Sequence, residues 1–163
     1  MRITHLIDMP AARPILVRWF EAEWAPYYGP DGPGDADADL AACVRREALP
    51  LCLVALGEGE RPLGTAALRA TSVGSDIAPG PWLTGLLVAE DDRNARIGSA
   101  LVAAIEDEAW RLGVPALYCS ADRADTILAR RGWTEVGTSE SLRGTVVVFR
   151  RDAPGDATGP AQS

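Results

Sequence analysis

The fold is decided by the stretch Trp82-Leu-Thr-Gly-Leu-Leu-Val-Ala-Glu-Asp-Asp-Arg-Asn-Ala-Arg-Ile-Gly-Ser-Ala-Leu101. Its apolar run over 82–88 predicts a strand, and the apolar spacing over 97–112 predicts a helix that Gly113 ends. The first N–H groups of a helix have no intrahelical partner and lie at the positive end of its dipole. We therefore expect the turn between strand and helix to bind a phosphate or a pyrophosphate.

Four residues of this stretch refine that expectation. Arg93 and Arg96 supply guanidinium donors that match phosphate geometry, and Gly98 permits close approach of the backbone. Gly85 inside the strand predicts a bulge. A strand that bulges and leaves its neighbour exposes N–H and C=O groups, which could pair with an extended ligand that carries amides.

The composition indicates one folded domain. The chain has 163 residues, of which 47% are hydrophobic and 24% charged, and its net charge is −7. No apolar run approaches the roughly 18 residues of a membrane span. The N-terminal segment lacks the apolar core of a signal peptide, so we expect a cytoplasmic protein. An acidic chain without a basic stripe predicts neither a nucleic-acid nor a membrane partner.

Several chemistries are excluded by residue usage. The chain contains no lysine, which rules out Schiff-base and P-loop lysine chemistry. Cys43, Cys52 and Cys119 form no C-x-x-C pair, so we predict no metal site and no disulfide framework. The single histidine, His5, is interpreted as a core or rim residue, because no G-x-S-x-G motif accompanies it.

Other strands and helices are predicted on both sides of this stretch. Strands are expected at 3–7, 51–56, 62–70, 116–120, 133–138 and 144–150, and helices from about 8 to 24, up to about 46, and at 123–130. This pattern predicts one α+β domain over residues 1–151 with a mixed sheet. Residues 152–163 have nothing to bury and are predicted to be a disordered tail.

An acidic loop precedes the second helix and contains Asp35, Asp37 and Asp39. Their spacing is that of a calcium loop, but Leu40 and Arg46 stand where such a loop has glycine and glutamate. We predict helix capping and solvation for these carboxylates, with attraction of a cationic substrate as the alternative.

Residues 86–101 resemble the acetyl-CoA signature of the GNAT superfamily of N-acetyltransferases, whose core pattern is Q/R-x-x-G-x-G/A. The segments 81–83, 111–118 and 128–133 follow in the order and spacing of that family, and the opening helix ending at Glu23-Trp24 looks like one bacterial branch. The resemblance implies a layered α+β fold with a central, mostly antiparallel sheet of about six to seven strands and about four helices.

The resemblance also implies the site. Acetyl-CoA would be the co-substrate, and its pantetheine arm would pair with the backbone of Leu86, Leu87 and Val88. The pyrophosphate would be wrapped by Arg93, Asn94, Ala95, Arg96, Ile97, Gly98 and Ser99. The acceptor would be an amine of a small molecule or peptide, entering beside Glu23, Tyr27, Tyr28 and the acidic loop. The acidic surface favours a cationic acceptor.

Three positions depart from the family pattern. Arg96 occupies the first glycine of the signature, which predicts weaker or altered CoA binding. Leu128 occupies the place of a frequent general-acid tyrosine, and leucine cannot donate a proton. Ala121 stands where an asparagine is frequent.

Candidates for acid and base catalysis remain on nearby elements. Tyr118, Cys119 and Ser120 could replace the missing acid, and strand alternation places Tyr118 and Ser120 on one face and Cys119 on the other. Glu23 is the first candidate for the base and Glu90 the second. Simple packing or solvation is the alternative interpretation of each residue.

Loss of the acid at Leu128 leaves a second functional hypothesis open. A non-catalytic CoA sensor or partner-binding module on the same fold would keep the phosphate turn and lose turnover. An open sheet with an exposed late strand also predicts a homodimer as a reasonable assembly.

Overall fold

The computed structural model describes residues 1–93, 96–122 and 126–157. Its strands are β1 (Arg2–His5), β2 (Leu51–Leu56), β3 (Pro62–Arg69), β4 (Trp82–Val88), β5 (Ala116–Ala121), β6 (Thr134–Ser141) and β7 (Gly144–Asp152). Its helices are α1 (Arg13–Glu23), α2 (Ala25–Tyr28), α3 (Ala36–Ala42), α4 (Ile97–Arg111) and α5 (Ile127–Arg130). The strands form one seven-stranded sheet in the order β1-β2-β3-β4-β5-β7-β6, which confirms the predicted α+β class.

The sheet opens between its two central strands. All neighbouring pairs are antiparallel except β4 and β5, which run parallel. These two strands meet at one register position, Trp82 opposite Tyr118, where the Tyr118 N–H donates to the Pro81 carbonyl at 3.0 Å. In the described residues they pair nowhere else, so a gap lies between their carboxyl ends.

A bulge in β4 confirms the prediction from Gly85. The register with β3 shifts between Thr65 and Ala67, and Gly85 has a φ of +64°, which favours glycine. The extra residue reverses the alternation of side chains. Leu83 therefore packs on the α4 side of the sheet, whereas Leu87 packs on the α1 side.

Helices cover both faces of the sheet. The buried residues of α4 recur at helical spacing and pack on one face: Ile97, Leu101, Val102, Ile105 and Ala109. On the other face α1 and α3 pack through Leu16, Phe20, Ala36 and Leu40. Strand β2 is buried along its whole length because its alternate residues face the two layers. Within the described ranges, no helix has the length and apolarity needed to cross a membrane.

Several elements end at other residues than the sequence predicts. The opening strand stops at His5 because Leu6–Asp8 forms a 3-10 helix, and α1 follows a second 3-10 helix at Pro10–Ala12. Helix α3 ends at Ala42, well before position 46. The short helix α2 was not predicted from the sequence, since the prolines and glycines around it indicate a loop.

The second half of the chain shows smaller differences. Helix α5 begins after Thr126, whose hydroxyl accepts the N–H of Leu128 at 3.1 Å, and residues 123–125 of the predicted helix lie outside the described residues. Strand β6 runs to Ser141, beyond the predicted end at 138, because it pairs with β7 along its whole length.

Asp152 belongs to the sheet, and Ala153 is hydrogen-bonded beside it, although the sequence predicts a disordered tail from position 152. Asp152 ends β7 opposite Ala116, and the Ala153 N–H donates to the Pro115 carbonyl at 3.0 Å. This backbone hydrogen bond supplies a partner that the sequence does not reveal. Pro154–Ala157 forms a 3-10 helix, and residues 158–163 lie outside the described residues.

His5 joins β1 to α4, in agreement with its predicted place at the rim of the core. Its Nε2 lies 2.9 Å from Oε1 of Glu108, and Arg111 donates to the same oxygen at 2.6 Å. Burial raises the pKa of Glu108, but the hydrogen bonds from Arg111 and His5 outweigh it and hold this pKa below its ordinary value. The carboxylate therefore stays charged and keeps both partners.

A buried carboxylate fixes the end of the chain to α4. Glu106 is 4% exposed and accepts hydrogen bonds from Arg131 Nη2 and Trp133 Nε1, each at 2.8 Å. Arg151 adds a second guanidinium, with its Nε 3.7 Å from Glu106 Oε2. Because a buried charge is tolerated only when it is paired and hydrogen-bonded, these contacts act as one unit.

Removal of this carboxylate should destabilise the fold strongly. We expect Glu106→Ala to lower the free energy of unfolding by about 3–5 kcal/mol, because it leaves buried donors without an acceptor. Asp37→Ala is the control: it breaks the exposed 3.1 Å pair with Arg13 and should cost about 1 kcal/mol or less. Urea unfolding of the two variants measures the difference, and equal losses would show that the Glu106 cluster anchors nothing.

Candidate active site

Two cavities open where β4 and β5 diverge. The β4–α4 cavity has a volume of about 960 Å³ and is lined by Glu23, Leu86, Leu87, Val88, Arg93, Arg96, Gly98, Ser99, Ile127, Arg130 and Arg131. The α1–β5 cavity has a volume of about 810 Å³ and lies between the first three helices and the central strands. Its lining includes Phe20, Glu23, Trp24, Tyr27, Tyr28, Asp39, Arg69, Leu86, Ser120, Asp122, Ile127 and Arg143.

The carboxyl half of β4 presents a backbone edge to the β4–α4 cavity. Leu86, Leu87 and Val88 line it, and no strand among the described residues pairs with them on the β5 side. Their side chains pack on the two faces of the sheet, Leu86 and Val88 towards α4 and Leu87 towards α1. Unpaired N–H and C=O groups in such an edge can bind an extended ligand that carries amides.

Arg93 joins the turn after β4 to both the strand and α1. Its Nε donates to the Val88 carbonyl at 3.1 Å, and its Nη2 lies 3.7 Å from Glu23 Oε1. The Arg93 side chain is 51% exposed at the cavity, so the guanidinium remains accessible to an anion.

Arg96 begins α4 in a left-handed conformation, with φ 63° and ψ 18°. A side chain in this region costs roughly 1 kcal/mol, which is the physical reason for glycine at this place in the signature. The Arg96 side chain lines the cavity and has no hydrogen bond or ion pair with the rest of the described chain. Its charge is therefore available to a ligand.

Gly98 lets α5 approach the first turn of α4. A Cβ at position 98 would lie 2.8 Å from Ile127 Cδ1, closer than real Cβ contacts. Ser99 follows on the same cavity wall, whereas Ile97 is 3% exposed and packs in the α4-side core. Asn94 and Ala95, which the sequence also placed around the pyrophosphate, lie outside the described residues.

Two further arginines line the β4–α4 cavity that the sequence did not assign to it. Arg130 and Arg131 stand at the end of α5. Arg131 also donates to Glu106, whereas Arg130 is exposed. The adjacent arginines of segment 128–133 are a signal of this role in the sequence. Among the described residues, the lining of this cavity includes four arginines, one of them paired with Glu106, and one carboxylate, and this excess of positive charge suits a diphosphate.

Aromatic and acidic side chains line the α1–β5 cavity. Glu23, Tyr27 and Tyr28, which were expected at the acceptor side, all lie on its wall. The Tyr28 hydroxyl donates to Asp39 Oδ2 at 2.6 Å. Burial, together with this hydrogen bond and the Asp39 charge, raises the pKa of Tyr28 well above its ordinary value, so the phenol stays protonated.

The acidic loop is occupied by contacts within the protein. Asp35 caps α3 by accepting the Ala38 N–H at 3.0 Å, as predicted, and Asp37 pairs with Arg13 at 3.1 Å. Asp39 accepts the Tyr28 hydroxyl. In the described ranges, no three His, Cys, Asp or Glu side chains are grouped as metal ligands would be.

Glu23 lies where the two cavities meet. It ends α1 and lines both cavities, a property it shares with Leu86 and Ile127. Glu90, the second candidate for the base, lies in a 3-10 helix after β4 and lines neither cavity. The structure therefore brings Glu23, and not Glu90, to the centre of the site.

The three candidate acids have different surroundings. Tyr118 is 6% exposed, its ring centroid lies 5.7 Å from that of Trp82, and it lines neither cavity. Tyr118 and Cys119 pack in different cores, as the predicted alternation requires, whereas Ser120 and Cys119 both line the α1–β5 cavity. Burial raises the pKa of Cys119 to about 12, which makes it a poor proton donor. Leu128 is buried in the same core.

Comparison with known proteins identifies the family. Residues 16–133 match the model of the Acetyltransferase (GNAT) family. Comparison with curated protein sequences finds no match.

Several solved structures have a similar fold. An aminoglycoside 6'-N-acetyltransferase complexed with coenzyme A is 16% identical, with 94% of this chain and 98% of that chain covered and a TM-score of 0.72. The aminoglycoside 6'-N-acetyltransferase from Enterococcus faecium is 14% identical, with the same coverage and a TM-score of 0.70. The ribosomal-protein-alanine N-acetyltransferase from Brucella melitensis is 18% identical, with 93% and 99% covered and a TM-score of 0.71.

At these identities the structural likeness establishes the fold, while the family model establishes membership. That model covers more than half of the chain and includes the strand, turn and helix on which the β4–α4 cavity is built. The chain therefore belongs to the GNAT family of N-acetyltransferases, which use acetyl-CoA as their co-substrate.

Proposed function

We propose that the protein transfers the acetyl group of acetyl-CoA to an amine of a small molecule or peptide. One observation carries this proposal: the β4–α4 cavity combines an unpaired strand edge with four arginines and meets a second cavity at Glu23. Coenzyme A has an arm with two amides and a pyrophosphate, and these groups match the two parts of the cavity. The similar fold of an enzyme complexed with coenzyme A supports the assignment.

Different residues of the β4–α4 cavity would bind different parts of acetyl-CoA. The backbone of Leu86–Val88 would hold the amide-bearing arm, and its N–H groups would polarise the thioester carbonyl. Arg93, Arg96 and Arg130 would neutralise the pyrophosphate at the start of α4. Asn94 and Ala95 are included in this proposal only because they belong to the acetyl-CoA signature. Acetyl-CoA supplies an acetyl group activated as a thioester.

The acceptor amine would occupy the α1–β5 cavity and reach the thioester at the junction. Glu23 is proposed as the general base, because an ammonium must lose a proton before its nitrogen can attack. A thiol titrates near pH 8.5, so the thiolate is a weakly basic leaving group. Its departure depends less on a general acid than the departure of a more basic group would. Ser120 is the hydroxyl on β5 that lines the acceptor cavity and could supply a proton, whereas Tyr118 lines neither cavity.

One position, Leu128, favours a second function, that of a non-catalytic sensor or partner-binding module. Leu128 is 3% exposed and offers no hydroxyl where many family members have a tyrosine. A chain that binds acetyl-CoA without turnover would act as a sensor or a partner-binding module. Release of free thiol with a panel of amines, compared with a control without amine, separates the two functions.

Binding of acetyl-CoA should stabilise the folded protein. At about 100 times the dissociation constant the gain is roughly 2.7 kcal/mol, which corresponds to a rise of about 5–10 °C in melting temperature. Gly98→Trp should abolish the rise, because the indole would fill the cavity beside Ile127. Ala38→Trp, an exposed change on α3 away from both cavities, should keep it. Absence of any shift at millimolar acetyl-CoA, or an equal shift with ATP, would refute the assignment.

Substitution of the proposed base should slow the reaction. We expect Glu23→Gln to lower kcat by about 100-fold or more at neutral pH, because the amide cannot accept the ammonium proton. Glu21→Gln is the matched control on the same helix: this exposed residue lines neither cavity, and the variant should retain wild-type kcat. Steady-state rates of thiol release measure both variants. A Glu23→Gln enzyme with normal kcat would exclude this role.

Two substitutions separate the backbone and charge effects of Arg96. Arg96→Gly and Arg96→Ala remove the same cation, but only glycine relieves the left-handed conformation, so the glycine variant should be more stable by roughly 1 kcal/mol. Both should weaken acetyl-CoA binding by about tenfold or more through loss of a charged donor. Calorimetric titration and urea unfolding test this. Tighter binding by Arg96→Gly would show that Arg96 obstructs the pyrophosphate instead.

A further inference from the structure

Arg69 is a half-buried cation at the end of β3 with unused hydrogen-bond donors. It lines the α1–β5 cavity, and its Nη2 donates to the Asp39 carbonyl at 2.8 Å and to Cys43 Sγ at 3.1 Å. Among the described residues no carboxylate lies within ion-pair distance of its guanidinium. A guanidinium has five N–H donors; Nη2 fixes Arg69 to α3, and the other two nitrogens have no acceptor in the described part of the chain.

Apart from Glu23 at the junction, the other charged side chains of the described cavity wall have partners. Arg143 lies 3.4 Å from Asp122, and the Asp39 carboxylate accepts the Tyr28 hydroxyl. Arg69 is therefore the arginine of the described cavity wall whose charge has no carboxylate partner. A planar guanidinium held in this way matches a carboxylate, which it can bind through two parallel hydrogen bonds.

Four aromatic rings form an apolar wall in the same cavity: Phe20, Trp24, Tyr27 and Tyr28. Their ring centroids lie 5.1 Å apart for Phe20 and Trp24, 5.7 Å for Phe20 and Tyr28, and 4.7 Å for Tyr27 and Tyr28. Phe20 reaches the bulge of β4, since a Cβ at Gly85 would lie 3.3 Å from its Cζ. The wall thus extends to the junction of the two cavities and offers contact area to an apolar group.

From this arrangement we infer that the acceptor is an amino acid with an apolar or aromatic side chain. Its carboxylate binds Arg69, its side chain contacts the aromatic wall, and its amine points to Glu23 at the junction. This inference rests on the proposed function and specifies its acceptor. The ammonium group of such an acceptor agrees with the cationic acceptor that the sequence predicts. Its carboxylate is an additional feature that the sequence alone did not predict.

The reaction balances without a further reactant. The ammonium gives one proton to Glu23 and then forms the N–C bond to the acetyl carbon, while the C–S bond of the thioester breaks. The second amine proton passes to solvent or to the departing sulfur. The products are an N-acetyl amino acid and free coenzyme A.

L-Phenylalanine and phenethylamine test this inference, because they differ only in the carboxylate. We expect the wild-type enzyme to show a kcat/KM for L-phenylalanine at least about tenfold above that for phenethylamine, from the hydrogen bonds to a charged group. Arg69→Gln should remove this preference by lowering the value for L-phenylalanine, with phenethylamine little changed. Arg69→Lys, which keeps a cation without the planar fork, should retain part of the preference.

Arg45→Gln is the matched control. Arg45 is exposed, donates to the Leu49 carbonyl at 2.8 Å and does not line the cavity, so the preference should persist. The rate with phenethylamine also reports whether Arg69→Gln is folded. If Arg69→Gln lowers both rates equally, Arg69 only positions α3 and the inference is overturned.

The remaining outcomes separate this inference from the proposed function. Equal use of both amines, or preference for phenethylamine, overturns the acceptor class and leaves acetyl transfer intact. If neither amine releases thiol while acetyl-CoA still raises the melting temperature, the acceptor class is wrong, and thiol release with the wider panel of amines then distinguishes acetyl transfer from the non-catalytic alternative. If acetyl-CoA gives no rise, the proposed function itself fails.

Discussion

The parallel pairing of β4 with β5 stops after one register position, and the site depends on that stop. Trp82 and Tyr118 close the sheet at this point, with their rings packed together in a small core of their own. Beyond it the strands separate, so no described strand pairs with this edge of β4, while helices still cover both faces. A sheet that continued its ladder here would have a complete core and no cavity. The missing hydrogen bonds are what a ligand can supply.

The electrostatics of the site oppose those of the whole chain. The net charge is −7, yet four arginines gather around the β4–α4 cavity. The contact of Arg93 with Glu23 joins this cationic group to the junction with the second cavity. An anion that draws Arg93 away would also change the surroundings of Glu23. If Arg93 binds the donor and Glu23 accepts the proton, as proposed, donor binding and proton transfer are coupled through this ion pair.

Local patterns in the sequence were sufficient for the parts of the fold that depend on neighbouring residues. The apolar runs of β2 and β4 gave the correct ends of both strands, and Gly85 indicated the bulge. Contacts between distant segments were not predictable in this way. In the buried Glu106 cluster, Glu106 binds residues that are 25 or more positions away. The surroundings of Arg69 are likewise set by the packing of α3 against β3, because Arg69 donates to the Asp39 carbonyl. Charge alone does not reveal which arginine will lack a partner.

The aromatic wall and the strand edge with its following turn come from separate stretches of the chain. The wall is formed by residues 20–28, whereas the strand edge and the turn lie within residues 86–99. Apart from those at Glu23, which lines both cavities, mutations in the first stretch would alter the shape offered to the proposed acceptor without changing the residues proposed to bind the donor. Provided that Glu23 is retained, such a division would allow natural selection to diversify the proposed acceptor while the strand edge and the turn are inherited unchanged, and it makes the other positions of α1 and α2 the natural place to begin directed evolution.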